Sequence, residues 1–535
     1  MRPLERGGWD AVVIGSGFGG AMAARKLVDA GWRVLMLERG DWVTRGPHNW
    51  APGSVAPLGD CYSMATPYRV ISGGEREWMG ALECVGGPSV FYGGVSLRFR
   101  ERDFEPEPEI VGESGARWPI GYDELEPYYA QAEHLLGVAG DDSGDPTAPR
   151  RSTGFPHPPA ALSPTSRRIW EAARRVGDRP FRLPLALNHA RAAGRTPCVA
   201  CGTCDLFACA IAAKNDLATA VLPDLIARGM ELRPRTVAVR LRAAGDRVEA
   251  VECFDRDTGE RSTFEARSFV LAAGALASPH LVLASGLDSR SPARAAIGRY
   301  LTRHQNVIVA GLFPRPTDPD RQFHKQVGIH DCYFGDPDGR GPSGKLGAIQ
   351  QLPTPPPALV RAHLPPGVGR LVSPLLRNVT GLLTMAEDQP REENGVVLDS
   401  TRLDRYGLPQ LVVSHRPSRR DLAASAGLVR HARRILSESG AIVTRLQEIR
   451  TFSHAVGTLR SGDDPRTAPV DRDGRFRGLD NLYVTDASVF PTAGAVNPSL
   501  TIAALALRIG ERLAAREGRG RRAAGRPLTV RAALN

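Results

Sequence analysis

Lysine is nearly missing from this chain. Of its 69 basic residues only Lys26, Lys214, Lys325 and Lys345 are lysines. The net charge of +11 is therefore an arginine charge, interspersed with acidic residues along most of the sequence. Such a mixed, solvated surface argues against the concentrated basic stripe of a nucleic-acid binder. Uncharged apolar runs are short, and none approaches the ~20 residues of a membrane helix. The first motif begins at residue 10, which leaves no room for a signal peptide, so a cytoplasmic location is expected. The one biased segment is 516–535, where six Arg face a single Glu, and a disordered basic tail is expected there.

At 535 residues the chain is long enough for two domains. Asp10-Ala-Val-Val-Ile-Gly-Ser-Gly-Phe-Gly-Gly20 joins a buried-type strand to a helix over 21–30, and a second strand over 33–37 ends at Glu38. In this G-x-G-x-x-G turn, Gly15 makes the bend and Gly17 admits a diphosphate to the backbone. Gly20 lets the helix pack on the strand. The helix N-terminus then faces the anion. Glu38 can accept both ribose hydroxyls of an adenosine and would repel a 2′-phosphate, which suits FAD or NAD and disfavours NADP.

A second glycine-rich stretch runs from Gly86 to Gly94 and includes Gly87, Ser89, Gly93 and Gly94. It predicts backbone lying flat where a Cβ would collide with a cofactor. Between Glu231 and Val270, alternating runs separated by Gly245-Asp246 and Asp257-Thr-Gly259 predict a β-meander, after which 269–274 returns as a buried strand ending at Gly274. A meander inserted before the last strand of a dinucleotide fold is typical of FAD-binding folds. A helix is expected from about Ser418 to Ser439, within a region suited to substrate binding.

Cys198, Cys201, Cys204 and Cys209 stand in a C-x-x-C-x-x-C-x4-C array. That spacing leaves three readings open: an iron–sulfur cluster, a zinc site, or a cysteine-rich structural loop. Toward the C-terminus a histidine, an aspartate and an asparagine fall in short polar windows between apolar runs, in Phe452-Ser-His-Ala-Val-Gly-Thr458, Asn481–Pro491 and Val496-Asn-Pro-Ser499.

Together these motifs resemble the glucose–methanol–choline (GMC) flavoprotein oxidoreductases, in a bacterial branch with cholesterol-oxidase-like and sugar-oxidising members. Gly274-Ala-Leu-Ala-Ser-Pro279, Gly298-Arg-Tyr-Leu-Thr-Arg-His304 and 484–506 extend the likeness. Tyr92 departs from it, since many members carry asparagine there. The resemblance implies an α/β fold: a Rossmann-like FAD domain with an inserted β-meander, interleaved with an α+β substrate domain. Residues 1–100, 200–300 and 455–515 are assigned to the first, and 101–199 and 301–454 to the second. It further implies that FAD is held by Gly15, Gly17, Gly20, Glu38, Gly87, Ser89, Gly93, Gly94, Val237, Gly274, Asp486, Ala487 and Pro498.

The catalytic pair implied is His454 with Asn497, while His304 is expected to be structural. Histidine is the suitable base for an alcohol proton near neutral pH, and the Asn497 amide can donate to the developing alkoxide. The expected reaction is oxidation of an alcohol to an aldehyde or ketone with O2 as acceptor. The alternatives are a quinone or cytochrome acceptor, or a non-redox lyase or isomerase on the same fold. With aromatics at only 6%, a polyol, sugar or aminoglycoside intermediate is preferred over a sterol.

Overall fold

The computed structural model describes residues 5–524 except 73, 143, 190–193, 320–321, 324, 336–343, 363 and 366. Its nucleotide-binding half is a seven-stranded sheet. Glu5–Ile14 runs parallel between Val34–Leu37 and Arg261–Leu271, with Glu231–Arg233 outside Val34–Leu37. Ala11, Val12 and Val13 are fully buried, as a strand covered on both faces requires. The helix Phe18–Asp29 lies over them and packs on the terminal helix Ser499–Ala524, where a Cβ added to Gly510 would come 2.8 Å from the Ala23 carbonyl oxygen.

The expected meander is present, with two differences. Glu231–Arg233 joins the parallel sheet instead of opening the meander. The runs read as separate strands at 262–266 and 269–274 are one strand, Arg261–Leu271. Its first half pairs antiparallel with Arg247–Asp255, and its second half pairs parallel with Glu5–Ile14 and Leu482–Val484. A single continuous strand thus welds the insertion to the nucleotide sheet.

A six-stranded antiparallel sheet forms the other half, ordered Val443–Glu448, His304–Leu312, Val379–Glu387, Gly347–Leu352, Val327–Ile329 and Phe181–Arg182. The helix Arg419–Glu438 covers it. Ser418 caps that helix, and its hydroxyl accepts from the Asp421 amide. A third sheet joins distant parts of the chain, pairing Tyr62–Ser72 and Glu75–Leu82 with Gly395–Leu403 and Pro409–Ser414. The terminal helix runs through Ala524, so the segment expected to be disordered begins as helix; 525–535 lie outside the described residues.

An aromatic cluster ties the halves together. The Phe99 ring, wholly buried, lies 5.7 Å from Phe490 and 6.2 Å from both Phe104 and Trp118, centroid to centroid. It also closes on Gly494, where a Cβ would come 2.8 Å from the ring. Phe99→Ala is expected to cost about 3–5 kcal/mol, visible as a lowered unfolding temperature. A loss below about 1 kcal/mol would show that the ring is not the prop described here.

Candidate active site

The cofactor end is built by glycine and one buried acid. Gly15, at φ +104°, turns between strand ends: its amide donates to the Leu37 carbonyl at 2.8 Å, and the Ala272 amide donates to the Ile14 carbonyl at 2.9 Å. A Cβ at Gly20 would come 1.9 Å from the Gly15 carbonyl oxygen, closer than any side chain permits. Gly17 serves differently: no protein atom lies within 4 Å of its Cβ position, and it precedes a helix whose N-terminus has no side-chain cap. Gly274, at φ +91°, borders equally open space. Gly87 lies against Gly17, with its Cβ position 3.2 Å from the Gly17 Cα. The open backbone and the uncapped, positive helix end suit a diphosphate.

Glu38 is buried at the end of its strand. Its carboxylate accepts from the Ser16 amide at 3.1 Å, the Ser16 hydroxyl at 2.6 Å and the Gly40 amide at 2.8 Å. Burial pushes this carboxyl above its ordinary range, and the Ser16 and Gly40 donors oppose that push. A carboxylate offers about four lone-pair sites and three are taken, so capacity remains for one ribose hydroxyl, fewer than the two expected from the sequence. Glu38→Gln is expected to weaken FAD binding by about 10- to 100-fold in a titration of apoprotein. Unchanged affinity would remove Glu38 from the cofactor site.

Other residues expected at the cofactor also make contacts within the protein framework. The Ser89 hydroxyl donates to the Gly86 carbonyl at 2.6 Å and accepts from the Leu217 amide at 3.1 Å, spanning two loops. Gly93 backs onto an ion pair: its Cβ position is 3.0 Å from Lys325 Nζ and 3.1 Å from Asp205 Cγ. Gly94, at φ +80°, makes only ordinary contact with Ala186 and Leu187. The Val237 side chain packs with Val239, Tyr406 and Leu408, which leaves only its backbone for a ligand. Asp486 is buried and spends its carboxylate on the Gly274 amide at 2.9 Å, the Ser488 amide at 2.9 Å and the Ser278 hydroxyl. It thereby fixes Ala487 and the Gly274 turn in relation to each other. Pro498 is buried at the head of the terminal helix.

The catalytic end gathers residues from distant parts of the sequence. His454 Nδ1 lies 2.9 Å from His304 Nδ1. His304 Nε2 lies 2.9 Å from the Gly494 carbonyl oxygen, three residues before Asn497. The Asn497 Oδ1 accepts from Gln350 Nε2 at 3.2 Å. The sheet built by His304–Leu312, Val379–Glu387 and Gly347–Leu352 therefore backs both residues, His454 through His304 and Asn497 through Gln350. His304 is wholly buried and touches His454 directly, a relation the reading of it as merely structural did not contain. Its motif was visible in the sequence, but its partner lies 150 residues away.

Burial, reinforced by His304 and Lys325, holds His454 well below the ordinary imidazole range. The ring is neutral at pH 7 and available as a base. Burial likewise lowers His304, against the opposing pull of Asp388.

The cysteine array forms a tight loop in which Ala200, Leu206 and Ala212 adopt positive φ. Cys198 Sγ accepts from the Ala200 amide at 3.4 Å, and burial pushes the Cys204 thiol up to about 12. Among the described residues no group of three or more His, Cys, Asp or Glu is placed to hold a metal.

A chain with this dinucleotide cradle and this fold is an FAD-dependent oxidoreductase acting on an alcohol. Family models described as GMC oxidoreductase match residues 10–306 and 390–506, and the chain belongs to that family. It is 34% identical over 529 residues to paromamine 6'-oxidase of Streptomyces fradiae, covering 95% of this chain and 91% of that protein. It is 33% identical to 6'''-hydroxyparomomycin C oxidase of Streptomyces lividus, over the same shares of the two chains. Its identity to 2-methyl-1,2-propanediol dehydrogenase of Mycolicibacterium austroafricanum is 28%, covering 95% of each. Among solved structures, pyridoxine 4-oxidase from Mesorbium loti shares the fold with a TM-score of 0.66 at 21% identity, covering 96% of this chain and 99% of that one. No helix among the described residues is long and apolar enough to cross a membrane.

Proposed function

We propose that the enzyme oxidises a primary alcohol of an aminoglycoside or related amino-sugar intermediate to the aldehyde, with O2 as the final acceptor and H2O2 as the second product. The observation that carries the substrate class is the likeness, over 95% of the chain, to two oxidases named for paromamine and hydroxyparomomycin C. The chemistry is assigned to His454, held by His304, and Asn497, held by Gln350.

Gly15, Gly17, Gly87 and Gly274 would lend backbone to FAD, and Glu38 would accept from its ribose. When bound, FAD supplies the hydride acceptor. The chain's own work concerns the oxygen and its proton. His454 Nε2 accepts the hydroxyl proton as the C–H bond breaks, so negative charge does not accumulate on oxygen. The Asn497 amide donates to that oxygen without competing for the proton. The low basicity of His454 keeps it ready at neutral pH.

The test is anaerobic. Paromamine added to purified holoenzyme should bleach the flavin absorbance, and admitting air should restore the colour with one H2O2 per turnover. A flavin that bleaches only with sterols would refute the substrate class. Bleaching without reoxidation by air, relieved by an added quinone, would replace the oxidase with a dehydrogenase.

A further inference from the structure

We infer that His304 and Gln350, both on the six-stranded sheet, are positioning residues that fix which way the hydrogen bonds of His454 and Asn497 point. This rests on the roles given above to those two side chains. The inference needs only groups whose donor or acceptor character is chemically fixed.

On the histidine side the fixed group is the Gly494 carbonyl, which can only accept. His304 Nε2, 2.9 Å from it, must therefore carry a hydrogen. His304 is buried and neutral, so its Nδ1 is bare and can only accept in turn. His454 Nδ1, 2.9 Å away, must be the donor. A neutral imidazole has one N–H, and His454 has placed it on Nδ1. Its Nε2 is left with a free lone pair and no partner among the described residues. An isolated histidine has no such constraint and would spend part of its time with Nε2 protonated and inactive as a base.

On the asparagine side the fixed group is the Met385 thioether, which likewise can only accept. Gln350 Nε2 lies 3.1 Å from Met385 Sδ and 3.2 Å from the Asn497 amide. The Gln350 atom beside sulfur must be its NH2, so the Asn497 atom that meets it must be oxygen. The Asn497 NH2 is then turned away from Gln350 and left free to donate. Gln350 is wholly buried, which holds this orientation.

The result is one directional arrangement. His304, Gln350 and Met385 stand on neighbouring strands, Asn306 pairing with Met385 and Ala348 with Met385 in the ladder. From this platform one catalytic group presents a lone pair and the other an N–H. An alcohol needs that combination, since its hydrogen must be accepted while its oxygen is being stabilised.

The direct test is NMR of holoenzyme labelled with 15N only in histidine. The resonances lost in His454→Ala should show Nδ1 protonated and Nε2 bare; the reverse pattern would overturn the inference without any change at His304. Kinetics give a second arm. His304→Leu removes the acceptor and should lower kcat by on the order of 10²–10⁴-fold with the flavin spectrum kept, as a wrong tautomer does elsewhere. His304→Asn places an amide oxygen near the lost Nδ1 and should restore most of the rate.

The double variant His304→Leu/His454→Ala should be no slower than His454→Ala alone, and Gln350→Leu should likewise add nothing to Asn497→Ala. Losses that multiply would mean general structural damage and refute the positioning role. If His454→Ala itself stays fully active, the function proposed above falls. If it is inactive while His304→Leu turns over normally, only this inference falls.

Discussion

His454→Ala is expected to lower kcat/KM by about 10²–10⁴-fold, the usual worth of a positioned general base, while the protein still purifies yellow with bound FAD. The cofactor contacts assigned above involve none of the His454 side chain, so binding and chemistry separate in this variant. In the parent enzyme the same residue should shape the pH profile. A base must be unprotonated to act, so kcat/KM falls as pH drops through the His454 pKa. Burial holds that pKa well below the ordinary value of about 6.5. The profile should accordingly be flat across neutral pH and decline only on the acid side. An alanine variant within twofold of the parent, or a parent profile that breaks above pH 7, would exclude His454 as the base.

Asn497→Ala carries the next largest expectation, a fall in kcat of about 10²–10³-fold with a smaller change in KM. The amide contributes most where negative charge grows on oxygen, which is the transition state rather than the bound alcohol. A deuterium isotope effect at the carbinol carbon should rise, because C–H cleavage becomes more fully rate-limiting. A variant whose loss appears only in KM would recast Asn497 as a substrate-binding residue.

The contrast between what the sequence disclosed and what it hid follows from distance along the chain. The N-terminal turn was legible because Gly15, Gly17, Gly20 and Glu38 act within one strand–helix–strand unit, and each glycine answers a steric demand visible in the spacing. The FAD-binding fold class was legible for the same reason. The helix expected from about Ser418 to Ser439 is present at Arg419–Glu438, where the structure adds a Ser418 cap.

The third sheet was not legible: Pro409–Ser414 finds its partner at Tyr62–Ser72 through backbone hydrogen bonds that leave no mark on composition. The His304–His454 and Gln350–Asn497 contacts were hidden in the same way, since each joins residues about 150 apart. The loop-to-loop contacts of Ser89 and the ion pair behind Gly93 were hidden too, because their partners Leu217, Asp205 and Lys325 lie more than 100 residues away.

The nucleotide sheet takes its strands from residues 5–14, 34–37, 231–271 and 482–484, and Gly19 nests against Thr485, whose hydroxyl donates to the Gly19 carbonyl at 3.2 Å. The motif that looks self-sufficient in the first forty residues is thus only half of its own walls. During synthesis the ribosome releases the N-terminal turn long before Leu482–Val484 emerges, and until then one flank of Arg261–Leu271 has no neighbour. A nascent chain that stops before Leu482 has the fingerprint but lacks one strand of the nucleotide sheet. The nucleotide sheet is therefore completed only late in synthesis, once the C-terminal strand reaches Arg261–Leu271.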